Sequence, residues 1–134
     1  MAYMEEDERS VVGLYEKIMI KGNNGNQKRL IARIDTGATK SSIDQNLVAE
    51  LDLGPVIRKR MTKQATGITW RDVIKVRVEL AGRNFYFQFT VADRSEMKYP
   101  VLIGQNILKK NFIIDPLKKT TEPSEAIKWQ KRQR

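Results

Sequence analysis

The sequence predicts an all-β fold: a small closed β architecture of short strands with one short helix, formed as one domain. Three observations carry this. Residues 73–80 and 85–91 alternate apolar and polar side chains with the period of a half-buried strand. Turn-forming clusters rich in glycine and asparagine, Gly22-Asn23-Asn24-Gly25-Asn26 and Gly82-Arg83-Asn84, separate such segments. Only one stretch, with Ile43, Leu47, Val48 and Leu51, repeats its apolar residues at helical spacing. Short strands between such turns, with so little helix, argue for a closed β architecture.

Residues 1–10 hold Glu5, Glu6, Asp7 and Glu8 with little apolar content, the pattern of a frayed tail. Residues 11–21 are β-rich and lead into the Gly22 to Asn26 turn, whose residues accept the positive backbone angles of a hairpin. In the return strand, residues 28–34, Leu30, Ala32 and Ile34 alternate with Arg29, Ile31 and Arg33. The first set turns inward, and Asp35 is delivered at the strand end. Ser42 is placed to cap the short helix, which must stop before Gly54-Pro55. Residues 57–71 are polar and basic, with Arg58, Lys59, Arg60 and Lys63 ahead of Thr66-Gly67-Ile68. They read either as a β-hairpin flap with its tip near Gly67 or as an ordinary solvated loop, and local sequence alone favours the loop.

Ile74, Val76, Val78 and Leu80 then form one strand face, with Lys75, Arg77 and Glu79 on the other. Phe85, Phe87, Phe89 and Val91 repeat the inward pattern, with Tyr86, Gln88 and Thr90 outward. So strict a period assigns the phenylalanines to the core and not to a nucleic-acid stacking surface. After a loop over residues 93–100, the apolar strand Val101-Leu102-Ile103 breaks at Gly104 and resumes as an apolar, helix-capable turn through Ile107-Leu108. Phe112-Ile113-Ile114 is a last short strand stopped by Pro116, and residues 117–134 are a basic tail. The domain thus spans residues 11–116.

The chain has 134 residues, a net charge of +9 and neither cysteine nor histidine. That length suits one domain. The charge favours an acidic partner, whether nucleic acid, an anionic surface or an acidic peptide. No helix-turn-helix, zinc finger or RNA-binding motif is recognisable, so nucleic acid is expected only through the basic tail. The absence of disulfides fits a reducing compartment, and neither an apolar signal core nor a membrane-spanning run is present. The expectation is a cytoplasmic protein with no membrane partner.

Asp35-Thr36-Gly37-Ala38 presents one carboxylate on a tight turn. Alone, such a turn is common, because glycine tolerates unusual angles and Asp and Thr bond to nearby amides. Its weight comes from Val101-Leu102-Ile103-Gly104-Gln105-Asn106-Ile107-Leu108, far downstream. Together the two motifs resemble the retropepsin class of aspartic proteases, a resemblance that covers most of the chain. Two longer blocks are similar to a narrower family: Asp35-Thr36-Gly37-Ala38-Thr39-Lys40-Ser41-Ser42 and Asp93-Arg94-Ser95-Glu96-Met97-Lys98-Tyr99-Pro100-Val101-Leu102-Ile103-Gly104. That family goes under the name of ATP-dependent zinc proteases and occurs in bacteria and archaea beside ligases that add glutamates to a ribosomal protein.

The resemblance implies an acid-protease barrel with one lobe per chain. A single Asp-Thr-Gly supplies a single carboxylate, so a two-carboxylate mechanism requires a homodimer. By resemblance, Asp35 is the catalytic acid, Thr36 bonds across the dimer axis and Gly37 offers backbone contacts to a peptide substrate. Ala38 and Gly104 complete the active-site turn, Gln105 and Asn106 support it from behind, and Gly67 lies at the flap tip. Lys40 falls where that class places a wall of the substrate pocket. With the basic run over residues 58–63 and the association with glutamate ligation, it suggests a Glu-rich peptide or polyglutamate substrate. The plainer reading makes these solvated surface charges.

Zinc and ATP are implied by the family name alone. Without His or Cys, zinc would rest on carboxylates and water, and no Gly-rich phosphate loop ends in Lys-Ser or Lys-Thr. No metal or nucleotide cofactor is therefore expected. Where viral retropepsins carry two acids after the turn, this chain has Thr39 and Lys40; where they carry Arg after the glycine, it has Gln105. Both ends of a supporting ion pair are replaced together, which leaves no lone buried charge. Two other classes stand beside the protease reading: a non-catalytic peptide-binding module on the same fold, and a basic ribosome- or RNA-associated protein.

Overall fold

The computed structural model describes residues 9–119. Residues 1–8 of the expected N-terminal tail and residues 120–134 of the basic tail lie outside the described residues, while Ser10, expected in the N-terminal tail, begins a strand.

Strands β2 (Tyr15–Lys21) and β3 (Gln27–Ile34) form an antiparallel hairpin with Tyr15 opposite Arg33 and Lys21 opposite Gln27. Its turn uses the expected chemistry. Gly25 takes φ 85°, Gly22 N–H donates to Asn26 O at 2.8 Å, and Asn26 N–H donates to Asn24 Oδ1 at 3.0 Å. The other strands of the barrel are β4 (Ser41–Asp44), β6 (Gly67–Leu80), β7 (Arg83–Ala92) and β8 (Val101–Ile103). Their order is β2-β3-β8-β4-β7-β6, and pairing of β2 with β6, Ile18 opposite Leu80, closes the ring. Closure leaves no unpaired edge among these six strands.

The core lies inside the ring. Ile18, Ile20, Leu30, Ala32, Ile74, Val76, Val78, Leu80, Phe89, Val101 and Ile103 are all buried there. Each full-sized side chain among them is worth roughly 1.5–3 kcal/mol when fully buried. Phe85, Phe87 and Val91 pack against this cluster from its rim.

The structure differs from the sequence reading at four places. The β-rich residues 11–21 divide at Gly13-Leu14: β1 (Ser10–Val12) leaves the barrel to pair in parallel with β9 (Phe112–Ile114). Ile31, expected outward, is fully buried, because Tyr99 and Tyr15 form a second small cluster over the outer face of β3. Ser42 does not cap the helix. The chain stays extended through Asp44 because β4 pairs with both β7 and β8, so Asp44 caps α1 (Gln45–Glu50), accepting from Asn46 N–H at 3.3 Å. Residues 105–108 form a second short helix, α2 (Gln105–Leu108), where one helix was expected. Of the two readings of residues 57–71, the structure has the hairpin and not the loop. β5 (Arg58–Gln64) pairs with the first half of β6 from Arg58–Val73 to Gln64–Gly67, an arm that reaches beyond the barrel.

Candidate active site

Asp35 stands one residue past β3, where Ile34 pairs with Ile103 of β8. The turn is held from both sides. Asp35 N–H donates to Ile103 O at 2.9 Å, and Gly37 N–H donates to Asp35 Oδ1 at 2.9 Å. Ala38 N–H closes the turn on Asp35 O at 3.3 Å. An acid followed by a hydroxyl residue and glycine suits this geometry, since the carboxylate caps an amide two residues on. Asp35 is partly exposed.

Behind the turn lies a polar knot. Asn106 Oδ1 accepts from Ser41 N–H at 3.0 Å and from Ser41 Oγ–H at 2.7 Å, while its Nδ2 donates to Gln88 O at 2.9 Å. Gly104 N–H donates to Ser41 Oγ at 2.9 Å. One serine and one asparagine thus tie together β4, β7 and the end of β8. Gln105 adds two bonds: its backbone N–H donates to Ala38 O at 2.8 Å, and its Nε2 donates to Thr36 O at 2.7 Å. A neutral amide therefore braces the turn directly, at the position where viral retropepsins carry the arginine of an ion pair.

Arg94 is a site residue that sequence analysis did not single out. Its Nη1 donates to Ser42 Oγ at 3.0 Å, its Nε to Tyr99 O at 3.0 Å, and its backbone N–H to Asp44 Oδ1 at 2.7 Å. Burial pulls its pKa below the usual arginine range, and nearby Arg33 acts in the same direction, while Asp44 and Asp35 act to raise it. Arg94 and Asp35 therefore lie within each other's field. Only its place inside the long Asp93 to Gly104 block could have drawn attention to it.

Two further expected site residues, Gly67 and Lys40, sit outside the Asp35 turn itself. Gly67 closes the two-residue turn of the β5–β6 hairpin, with φ 135° and open space where a β-carbon would be. The tip itself is Ala65-Thr66. Lys40 faces a groove of about 370 Å³ lined with Lys75, Tyr86, Phe87, Gln88, Asn106 and Lys110, not with Asp35. A zinc ion does not fit the donors present: the chain has no His or Cys, and no group of three or more Asp and Glu able to hold a metal ion gathers among the described residues.

A family model described as RimB-like, retropepsin-like aspartic endopeptidase RimB, matches residues 47–125, more than half of the chain. The chain belongs to the RimB-like family. The matched stretch begins after the Asp35 turn and includes the Asp93 to Gly104 block, α2 and β9. No curated protein matches the chain. Two solved structures show the same fold. One is protein Lpg0085 from Legionella pneumophila, of unknown function, 19% identical, with 84% of this chain and 97% of that chain covered and a TM-score of 0.59. The other is the simian foamy virus (mac) protease, also 19% identical, with 71% of this chain and 91% of that chain covered and a TM-score of 0.55. This RimB-like chain thus has the retropepsin-like barrel, and among its described residues no helix is long and apolar enough to cross a membrane.

Proposed function

We propose that this RimB-like chain is an aspartic endopeptidase that works as a homodimer, with Asp35 of each copy meeting at the dimer axis. The observation that carries the proposal is the Asp35 carboxylate, held on Gly37 N–H at the end of β3 and braced from behind by Gln105. The barrel is a single lobe with one such turn, so a second copy must supply the second acid.

Two carboxylates about 3 Å apart cannot both ionise cheaply, a property established for aspartic proteases in general, so the pair shares one proton. The ionised Asp35 takes a proton from a bound water as that water attacks the scissile carbonyl carbon. The protonated Asp35 donates to the carbonyl oxygen, and a proton then passes to the leaving amine as the C–N bond breaks. Thr36 links the two turns, Gly37 meets the substrate backbone, and the β5–β6 hairpin covers the cleft with Gly67 near its tip. Arg94 acts electrostatically on Asp35, and Lys40 and the basic strand β5 add positive field elsewhere on the chain. That field favours an acidic peptide, Glu-rich or polyglutamate.

The test combines native mass in solution with cleavage of a Glu-rich peptide and a neutral peptide of equal length. A dimer that prefers the acidic peptide and loses cleavage on Asp35→Asn is expected. A monomer, or cleavage that survives in the variant, would sink the two-carboxylate mechanism. Equal cleavage of both peptides would remove only the acidic preference.

A further inference from the structure

One row across the outer face of the barrel brings two arginines beside the Asp35 turn. Register places Arg33 of β3 next to Leu102 of β8, and Leu102 opposite Ser42 of β4. All three point outward, because their strand neighbours Ala32, Ile34, Val101, Ile103, Ser41 and Ile43 are buried. Leu102 is only half-buried, so its side chain forms an apolar floor between the other two. Neighbouring strands lie about 4.8 Å apart, which sets Arg33 and Ser42 about 9.6 Å from each other across that floor. At the far end Arg94 rests on Ser42: its Nη1 donates to Ser42 Oγ at 3.0 Å and its Nε to Tyr99 O at 3.0 Å, while its Nη2 has no hydrogen bond among the described residues. At the near end Arg33 is exposed, and Asp35 follows two residues later on the same side of the chain, about 6.6 Å on. The two guanidiniums feel each other, since Arg33 is among the groups that lower the Arg94 pKa. Asp44 offsets part of this charge, but its carboxylate is bound to the backbone amides of Arg94 and Asn46. Neither guanidinium forms an ion pair among the described residues, and the Asp35 carboxylate is turned onto Gly37 N–H. Like charges held this close call for an anion from outside the chain.

We propose that Arg33 and Arg94 grip the carboxylate of one glutamate side chain of the substrate, with its methylenes laid on Leu102, a specificity that rests on the peptidase reading of Asp35. The row is apolar at its centre and cationic at both ends. That matches a side chain that is aliphatic for two carbons and then ends in a carboxylate, which accepts from guanidinium donors and neutralises them. Glutamine has the same shape without the charge, and its NH₂ group meets donors that accept nothing. Aspartate is one methylene shorter and covers less of Leu102. Because Arg33 precedes Asp35 by two residues, the glutamate lies within about two residues of the scissile bond. A two-fold dimer repeats the row on the other side of that bond, so glutamates on both sides are read.

The experiment is a competition. Two peptides of equal length, neutral except for a central Glu-Glu pair in one and Gln-Gln in the other, are mixed with the full chain, and mass spectrometry reads the ratio of their kcat/KM values. The ratio does not depend on how much of a variant folds. A preference of about a hundredfold for the Glu-Glu peptide is expected, falling at least about tenfold in Arg33→Gln and again in Arg94→Gln. Ser42→Ala keeps every charge but releases Arg94 Nη1, and should lower the ratio about fivefold. The combined variant Lys21→Gln, Arg77→Gln removes two charges from a separate groove and should move the ratio less than about twofold. An unchanged ratio in Arg33→Gln, Arg94→Gln or Ser42→Ala overturns the proposal, as does an equal fall in the Lys21, Arg77 variant. Failure of the peptidase reading shows separately. The same peptides, labelled and titrated with the Asp35→Asn chain by fluorescence anisotropy, give the preference as a ratio of Kd values with no cleavage needed. A Kd ratio that falls on adding Arg33→Gln, beside no Asp35-dependent cleavage, overturns the peptidase reading and keeps the glutamate subsite. Equal Kd values for the two peptides overturn the subsite, whatever is cleaved.

Discussion

Gly104 ends β8 where the chain passes directly behind the Asp35 turn. A β-carbon there would lie 2.5 Å from Lys40 O and 2.8 Å from Ala38 O, backbone atoms that move only if the turn itself opens. Gly104→Ala is therefore expected to cost about 1–3 kcal/mol of stability by overpacking, read as a lower urea midpoint at unchanged slope. A midpoint equal to that of the unmodified chain would mean that the turn is not packed against Gly104. Gly104, Gln105 and Asn106 were singled out through the resemblance to the retropepsin class, which an apolar strand broken by glycine helps to carry. Ser41 was not legible. Its value lies in accepting from Gly104 N–H and donating to Asn106, partners more than sixty residues away in the chain, and nothing beside it announces them. Arg94 escaped for the same reason: its bonds to Ser42 and its field at Asp35 exist only once the barrel closes.

At the scale of elements, alternation reported one face of each strand well and the second face poorly. Ile74, Val76, Val78 and Leu80 behave as their period requires. Ile31 does not, because the loop after β7 brings Tyr99 onto the outside of β3 and makes a second buried layer there. The β5–β6 hairpin stayed undecided against a loop on local sequence alone for the opposite reason. β5 is largely exposed, so no buried face imposed a period on its sequence. The second layer has a measurable signature. Burial first, and neighbouring Tyr15 second, push the Tyr99 phenol from 10.0 up to about 12. The unfolded chain then loses this proton near pH 10, while the native chain keeps it to about 12. Stability from this group is full below pH 10, falls between about 10 and 12, and levels off above. The fall is on the order of 2–3 kcal/mol. Tyr99→Phe should flatten that part of the alkaline limb in urea unfolding. Parallel limbs for the two proteins would show that Tyr99 is not buried in solution.

For the whole molecule, the family and the single-lobe barrel were readable from two motifs, because each motif marks a strand end that the closed ring brings together: Ile34 beside Ile103. What one chain cannot contain is the second acid. If Asp35 works only as a pair, mixing the protein with an equal amount of Asp35→Asn and allowing subunits to exchange must lower activity, even though no active chain has been removed. Random pairing leaves about a quarter of all dimers with two acids, so activity per unmodified chain falls to about half. The mixed dimer contributes nothing, because it lacks either the ionised or the protonated partner. A chain that worked alone would keep its full activity in the same mixture. Native mass measured on the mixture separates this result from failed exchange: a size-tagged Asp35→Asn chain must appear in mixed dimers. Activity unchanged in the presence of those mixed dimers would mean that one Asp35 suffices, and the shared-proton mechanism would fall with it.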